Sequence, residues 1–332
     1  MIKFLIYPFI ALLPITNCFS QNVKLFDSPV KNSFRGLSVV NNNVVWVSGS
    51  SGKIGRTING GEIWEWYTVP GYEKTDFRDI EAFDKNTAII MGIDTPAVIL
   101  KTTNGGKDWK LVYRNNNQGM FLDAMAFWNI RSGIVIGDPI NGKFFVARTF
   151  DGGDNWQEIP LDKRPTAAAG EACFASSGTN IQKLTKSEAV FVSGGRESNV
   201  FIRDKKIPLP ILKGQESTGA NSIGVKNKKE FAVVGGNFNT KDSTTGNCAI
   251  TVDGGLTFSE PTIAPHGYRS CIIYLKKQNW ITCGLNGVDY SEDGGNNFRL
   301  ISTNSFHVVQ KAKKGNAVYF AGGGGRIGKL TF

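Results

Sequence analysis

The chain has 332 residues, 41% of them hydrophobic, and its 38 Lys and Arg against 28 Asp and Glu give a net charge of +10, so it holds enough apolar material for one large β-domain or two average ones. The basic residues are scattered along the whole length and form no arm or stripe, which argues for a solvated cationic surface over a nucleic-acid site. No apolar run reaches the roughly 20 residues that a membrane-spanning helix needs.

The first segment, MIKFLIYPFIALLPITNCFSQ, has a lysine near its start, an apolar run from Phe4 to Ile15 and small or polar residues around Cys18 and Ser20. This is the pattern of an export signal over residues 1–20, with cleavage after Ser20 and Gln21 as the new terminus. The protein is therefore expected in a periplasm or outside the cell. A lipid anchor on Cys18 is the alternative, although Asn17 is bulkier than the residue such signals carry there.

Beyond Gln21, short apolar runs ending in glycine recur at Gly49, Gly92, Gly137, Gly194, Gly235, Gly284 and Gly322, at intervals of 43, 45, 57, 41, 49 and 38 residues. Seven copies at this period predict a propeller or a solenoid. Each unit holds four strand-length runs; in the second these are Phe77 to Phe83, Thr87 to Gly92, Ala97 to Thr103 and Trp109 to Tyr113. Helical periodicity is absent. The fold class is all-β, a seven-bladed β-propeller of four-stranded antiparallel blades. As a single domain over 21–332, its blades span about 31–70, 71–115, 116–165, 166–213, 214–263, 264–304 and 305–332 plus 21–30.

The termini support closure. The last residues, GRIGKLTF, match GKIGRTI from Gly52 and supply a third strand without a fourth. The segment Val23 to Phe26 is expected to complete that blade and lock the ring, a swap for which a solenoid has no use. Four cysteines follow the signal, Cys173, Cys248, Cys271 and Cys283, with none of the close pairs of a structural zinc site. Cys271 and Cys283 flank a hairpin turn, so a disulfide between them is open, and a one-residue register change would separate them.

After the third strand, five units carry one motif: RTINGGEIW, KTTNGGKDW, RTFDGGDNW, ITVDGGLTF and YSEDGGNNF, centred on Asn59, Asn104, Asp151, Asp253 and Asp293. Blade four keeps only Asp204 in FIRDKKIPL, and blade seven ends before reaching the motif. An Asx side chain accepts hydrogen bonds from the following turn, and glycine supplies positive φ. Because Asn replaces Asp at 59 and 104, the charge is optional, which speaks for a structural turn against a catalytic carboxylate or a metal ligand; no metal and no cofactor are expected.

The pattern [S/T]-x-[D/N]-G-G-x-x-[W/F] resembles the Asp-box or BNR repeat of sialidases and of the photosystem II stability/assembly factor-like propellers, and GKIGRTINGG after WVSG is more similar to the second family. The resemblance implies seven blades, boxes on the turn between third and fourth strands, and a working face at the opposite end. It says much about architecture and little about function.

On that opposite face the starts of the first strands offer Arg35, Arg78, Leu122 with Asp123, Glu171, Asn221, Arg269 and His307, and the loops after the glycines add Ser50, Asp94, Asp138, Arg196, Glu197, Asn237 and Asp242. Arg35, Arg78, Asp123, Glu171, Arg269 and His307 are the candidate partner-binding residues around the channel mouth. The alternative is that Arg35, Arg78 and Arg269 pair with Asp79, Asp123 and Glu171 to tie blades together. The turn-rich segment from Asn237 to Asn247 is expected to be a mobile loop over this face.

Three function classes follow. The first is an exported, non-catalytic protein-binding or assembly factor, monomeric, that holds an acidic partner segment; it is the preferred reading. The second, implied by the sialidase resemblance, is a glycoside hydrolase acting on a carbohydrate, with Arg35, Arg78 and Arg269 as carboxylate triad, Tyr268 or Tyr290 as nucleophile, Glu171 as its partner and Asp94 or Asp138 as acid. Against it stand the seven blades, Gly36 and Leu37 after Arg35, and Tyr268 directly beside Arg269, which aims the two to opposite sides of a strand. The third, a redox enzyme, finds no dinucleotide turn, haem motif or copper set, with only His266 and His307 available.

Overall fold

A computed structural model describes residues 21–331. The export signal at 1–20 and the anchor at Cys18 lie outside the described residues. Among the described residues all regular structure is β, apart from two single 3-10 turns at Leu161–Lys163 and Gly323–Gly325, and no helix is long and apolar enough to cross a membrane.

The strands form antiparallel units in sequence order. Blade 1 is Phe34–Val39, Val45–Gly49, Lys53–Thr57 and Glu65–Thr68; blade 2 is Phe77–Ala82, Ala88–Gly92, Ala97–Thr102 and Lys110–Asn115. Blade 3 is Leu122–Phe127, Gly133–Ile140, Lys143–Thr149 and Gln157–Glu158. Blades 4 and 5 share one sheet through a single pair, Gly194 with Gly219. Blade 4 is Ile181–Lys183, Ala189–Gly195, Asn199–Ile202 and Lys205–Pro208; blade 5 is Thr218–Val225, Phe231–Asn237 and Cys248–Thr251, with Ser259 bridged to Ile250 where a fourth strand would lie. Blade 6 is Cys271–Lys276, Asn279–Gly284, Gly287–Ser291 and Arg299–Ser302. Blade 7 is Val308–Lys311, Val318–Ala321 and Ile327–Thr331, completed by Asn22–Phe26.

The seven first strands touch in a cycle, each packing on the next, and that of blade 7 returns to that of blade 1. Asn22–Phe26 runs antiparallel to Ile327–Thr331 with Val23 opposite Leu330, and both side chains are buried in the core shared by blades 6, 7 and 1. The first and last described strands thus enter one sheet, and the ring has no open edge there.

Cys271 and Cys283 stand directly opposite each other in blade 6, and all four cysteines are free and buried.

The box turns have one geometry. The Ser or Thr hydroxyl two residues before the Asx donates to its Oδ1, at 2.8 to 3.1 Å, in Thr57–Asn59, Thr102–Asn104, Thr149–Asp151, Thr251–Asp253 and Ser291–Asp293. The same hydroxyl accepts the N–H of the second glycine, and the Asx oxygen accepts the N–H four residues on at 3.0 Å in every copy. Both glycines of each box lie at φ between +75° and +94°, where a β-carbon is strained. The closing aromatic of each box packs into the seam with the preceding blade: Trp64 between blades 7 and 1, Trp109 between 1 and 2, Trp156 between 2 and 3, Phe258 between 4 and 5, and Phe298 between 5 and 6.

In this geometry the hydroxyl links two partners, and at Asp151 the second carboxylate oxygen also accepts from Asn155 Nδ2 at 2.8 Å. Thr149→Val, which strands the buried Gly153 N–H, is expected to cost about 1–3 kcal/mol in urea unfolding. Asp151→Asn keeps the Oδ1 acceptor and loses only the exposed bond from Asn155 Nδ2, so it is expected to cost less, about 1 kcal/mol or under.

Candidate functional site

The first strands of blades 1, 2, 3 and 5 each open with a β-bulge. In blade 1, Phe34 pairs with Gly49 and Gly36 with Ser48, leaving Arg35 as the extra residue; Arg78, Asp123 and Asn221 hold the same place in their blades. A bulge re-aims one side chain and stops the ladder, which is how a strand buried on both faces turns a polar group toward the channel.

Arg35 and Arg78 line a cavity of about 410 Å³ together with Asp138, Phe174, Tyr268, Ser270 and His307. Arg35 donates from Nη1 to the Ser176 carbonyl at 3.3 Å and makes no ion pair among the described residues. Burial first, and then the like charge of Arg78, hold its pKa below the usual arginine value. Arg78 has a carboxylate at 3.5 Å, Asp76, while its buried Nε has no partner. His307 sits with Nε2 3.2 Å from Ser33 Oγ, and burial, then Arg35 and Arg78, drive its pKa down to about 3, so it is neutral at pH 7.

Burial raises the pKa of both acids near the mouth, but to different extents. Asp138 accepts the Cys173 N–H at 2.9 Å, but burial raises its pKa to about 6. Asp123 is fully buried, and desolvation followed by repulsion from Asp138 pushes it well above the usual carboxylate range.

Arg269 is placed differently from the expectation. In blade 6 the register is offset by one relative to the alignment of SFRGL with GYRSC. The Arg269 N–H bonds the Gly235 carbonyl of the preceding blade, as Phe34 bonds Gly322 and Phe306 bonds Gly284. Arg269 therefore occupies the buried place of Phe34 and Phe306, and Ser270 takes the channel place of Arg35 and His307. A one-residue slip turns the side chain to the other face. Its guanidinium is fully buried and ion-paired with the fully buried Asp289, donating from Nε at 2.6 Å and from Nη1 to the Tyr268 carbonyl at 2.9 Å. His266 holds the other Asp289 oxygen at 2.5 Å.

Glu171 is also withdrawn. It accepts from Ser193 Oγ at 2.5 Å, Asn199 Nδ2 at 2.8 Å and Lys206 Nζ at 2.5 Å, inside blade 4. Glu171 does not start the inner strand; it pairs with the upper end of the second strand opposite Gly195, and the inner strand begins only at Ile181. The intervening segment, 173–180, folds over the channel and brings Phe174 and Ser176 to the cavity. The 57-residue interval before Gly194 was the only sequence signal for it. The alternative pairing of three arginines with Asp79, Asp123 and Glu171 is likewise absent: Asp79 accepts the N–H groups of Ile80 and Met125.

The groups of a sialidase-type reaction are only partly brought together: Arg35, Arg78, Asp138 and Tyr268 line the cavity, but Arg269, Glu171, Tyr290 and Asp94 lie elsewhere. Tyr268 is buried with its hydroxyl on Asn221 Oδ1 at 2.8 Å and its pKa pushed up to about 12 by burial, with no contact to Glu171. Tyr290 lies in the core shared by blades 6, 7 and 1, bonded to Asn279. Asp94 lines a separate surface pocket with Asp76 and Arg114. Among the described residues no cluster of three or more His, Cys, Asp or Glu is arranged to hold a metal. The segment from Asn237 to Asn247 is pinned at its middle, where Lys241 accepts the Tyr268 N–H at 2.8 Å and Asp242 accepts from Asn286 Nδ2 at 2.8 Å, and it sets Phe238 on the cavity wall.

The ring, its swapped strand and its boxes define a closed Asp-box β-propeller. Residues 16–120 match the family model of the photosynthesis system II assembly factor YCF48. Among solved structures the chain is similar to YCF48 from Cyanidioschyzon merolae, at 16% identity over 93% of this chain and 98% of that one with a TM-score of 0.68. YCF48 bound to D1 peptide matches at 15% identity, 94% and 97% coverage and a TM-score of 0.66. The WD40 β-propeller domain of Doa1 follows at 13%, 94%, 97% and 0.63. No curated protein matches the chain. The family match and the YCF48 structures support the resemblance to photosystem II assembly factor-like propellers; the low identities speak for the fold alone.

The two kinds of arginine separate experimentally. Arg269→Ala leaves Asp289 buried without its cation and is expected to cost about 3–5 kcal/mol in chemical unfolding, whereas Arg35→Gln is expected to leave the unfolding midpoint nearly unchanged.

Proposed function

We propose that this protein is an exported, non-catalytic propeller that holds an acidic segment of a protein partner at its channel mouth. The observation that carries the reading is the pair Arg35 and Arg78, on adjacent blades, facing one cavity where Arg35 has no carboxylate partner. Guanidinium groups already stripped of water bind carboxylates through charge-assisted, bidentate hydrogen bonds, and the cost of their burial falls when an anion arrives. Neutral His307 and the apolar faces of Phe174 and Phe238 add shape without opposing charge. The similar propeller YCF48 has been solved with D1 peptide, which supports a protein segment as the kind of ligand.

The test is binding of a labelled acidic peptide, Ac-Asp-Glu-Ala-Asp-Glu-amide, to the full chain by fluorescence anisotropy. The double change Arg35→Gln/Arg78→Gln is expected to weaken it about 10-fold or more without loss of the β circular dichroism signal, since hydrogen bonds to charged groups contribute about 1.5–3 kcal/mol. Equal affinity in the double variant rejects the mouth as the site.

The acids predict a pH dependence. Asp138 has a folded pKa of about 6, so it is charged above that value and repels the peptide. Affinity is expected to rise as pH falls from 7.5 to 5, and Asp138→Asn is expected to give the high affinity already at pH 7.5.

Export has its own measurement. Mass spectrometry of the chain recovered from the periplasm or medium is expected to find Gln21 as the first residue; an intact Met1, or a lipidated Cys18, would replace that reading.

A further inference from the structure

Five inter-blade seams are filled by the closing aromatic of a box, and in the seam between blades 6 and 7 Gln21, the residue before the fourth strand, sits buried and accepts a hydrogen bond from Arg299. The seam between blades 3 and 4 is packed in its interior by Phe144, Phe191 and Phe201, but it has no such plug at the box end. Blade 4 turns from its third to its fourth strand through Arg203 and Asp204 alone, with Arg203 at φ +57°, so no box reaches back toward blade 3. A slot of about 310 Å³ is left there, walled by Ile134, Val146, Ala189, Phe191 and Phe201 and bordered by Trp128.

The cation beneath the missing turn has lost its partner as well. Arg56, Lys101 and Arg148 are the penultimate residues of the third strands of blades 1, 2 and 3. Arg56 is ion-paired with Glu65 and donates to the Lys85 carbonyl at 2.7 Å, and Lys101 pairs with Asp154 of the next box at 3.0 Å. Arg148 has neither an ion pair nor a hydrogen bond among the described residues; its Nε is buried and unpartnered, and its guanidinium lies 5.0 Å from the Trp128 ring centroid and 5.4 Å from that of Phe150. Lys163, on the same rim, also makes no ion pair among the described residues.

We infer that the seam between blades 3 and 4 is a second docking site, which takes an aromatic side chain from an acidic segment of a partner protein. The occupant is defined by what the other seams contain: a Trp or Phe for the apolar slot and, as Asp154 does for Lys101, a carboxylate for the cation beside it. Arg148 lies over the rings of Trp128 and Phe150, which keeps the guanidinium in place for a bidentate carboxylate contact. The site lies at the box end of the blades, away from the mouth, and does not depend on the function proposed there.

The test uses the full chain carrying Arg35→Gln/Arg78→Gln, so that the mouth does not contribute. Three dye-labelled peptides are titrated by anisotropy: Ac-Glu-Asp-Trp-Glu-Asp-amide, its Trp→Ala form, and the uncharged Ac-Gln-Asn-Trp-Gln-Asn-amide. The first is expected to bind at least 10-fold more tightly than either of the others. Ala189→Phe, which fills the slot from its wall, and Arg148→Gln, which keeps the slot and removes the charge, are each expected to lower that affinity at least 5-fold. Circular dichroism checks that both fold; if Ala189→Phe does not, Arg148→Gln decides. Absence of binding up to millimolar peptide, equal binding of the Trp and Ala forms, or unchanged affinity in a folded variant overturns the inference. So does a slot occupied by a second copy of the chain, seen as a dimer by sedimentation that Ala189→Phe abolishes.

Discussion

Closure of the ring through the antiparallel pairing of Asn22–Phe26 with Ile327–Thr331 is the constraint on which the other features rest. A four-stranded blade cannot cover both of its faces alone. Each inner strand is covered only because its neighbours stand on either side, and blade 7 gains its outer strand only from the other end of the chain. Once the ladder forms, seven first strands are forced side by side around one axis, and whatever side chain sits at their upper ends must face its six counterparts. The ends of the strands become a site because the ring leaves them nowhere else to point.

That geometry explains why equal residue types have unequal roles. Arg35 and Arg269 look alike in SFRGL and GYRSC, but a difference of one residue in the pairing turns the first into the channel and the second into the blade interior. A buried guanidinium is tolerated only with a matched anion, and Asp289 supplies it. At the mouth, by contrast, Arg35 has no ion pair among the described residues, and burial holds Asp123 toward its neutral form while Asp138 titrates at about 6. The result is a cavity in which Arg35 lies without an ion pair beside Arg78, Asp138 and His307.

The boxes brace the seams at the other end of the blades. Their hydroxyl, Asx oxygen and two left-handed glycines satisfy the turn internally, which lets the closing aromatic reach back to the preceding blade. Where blade 4 replaces the box by a two-residue hairpin, both the plug and the partner of the cation vanish together, and an apolar slot with an unpaired Arg148 remains. The same omission that shortens the turn exposes the groove.

The sequence by itself determined what depends on local pattern: the seven glycine-ended runs, the all-β class, the box turns and the swapped terminal strand, because short continuous apolar runs and left-handed glycine turns leave a mark on consecutive residues. It also placed Arg35, Arg78 and His307 at the starts of the right strands. Only the tertiary structure decided which side each of these residues faces, since that depends on pairing register between distant segments and changes with a slip of one residue. It withdrew Arg269 into its pair with Asp289 and Glu171 into blade 4, laid Cys173 to Asn180 across the channel, and pinned the loop from Asn237 to Asn247 in place. A missing plug cannot be read along a chain at all, because it is the absence of a side chain between two segments that meet only when the ring is folded.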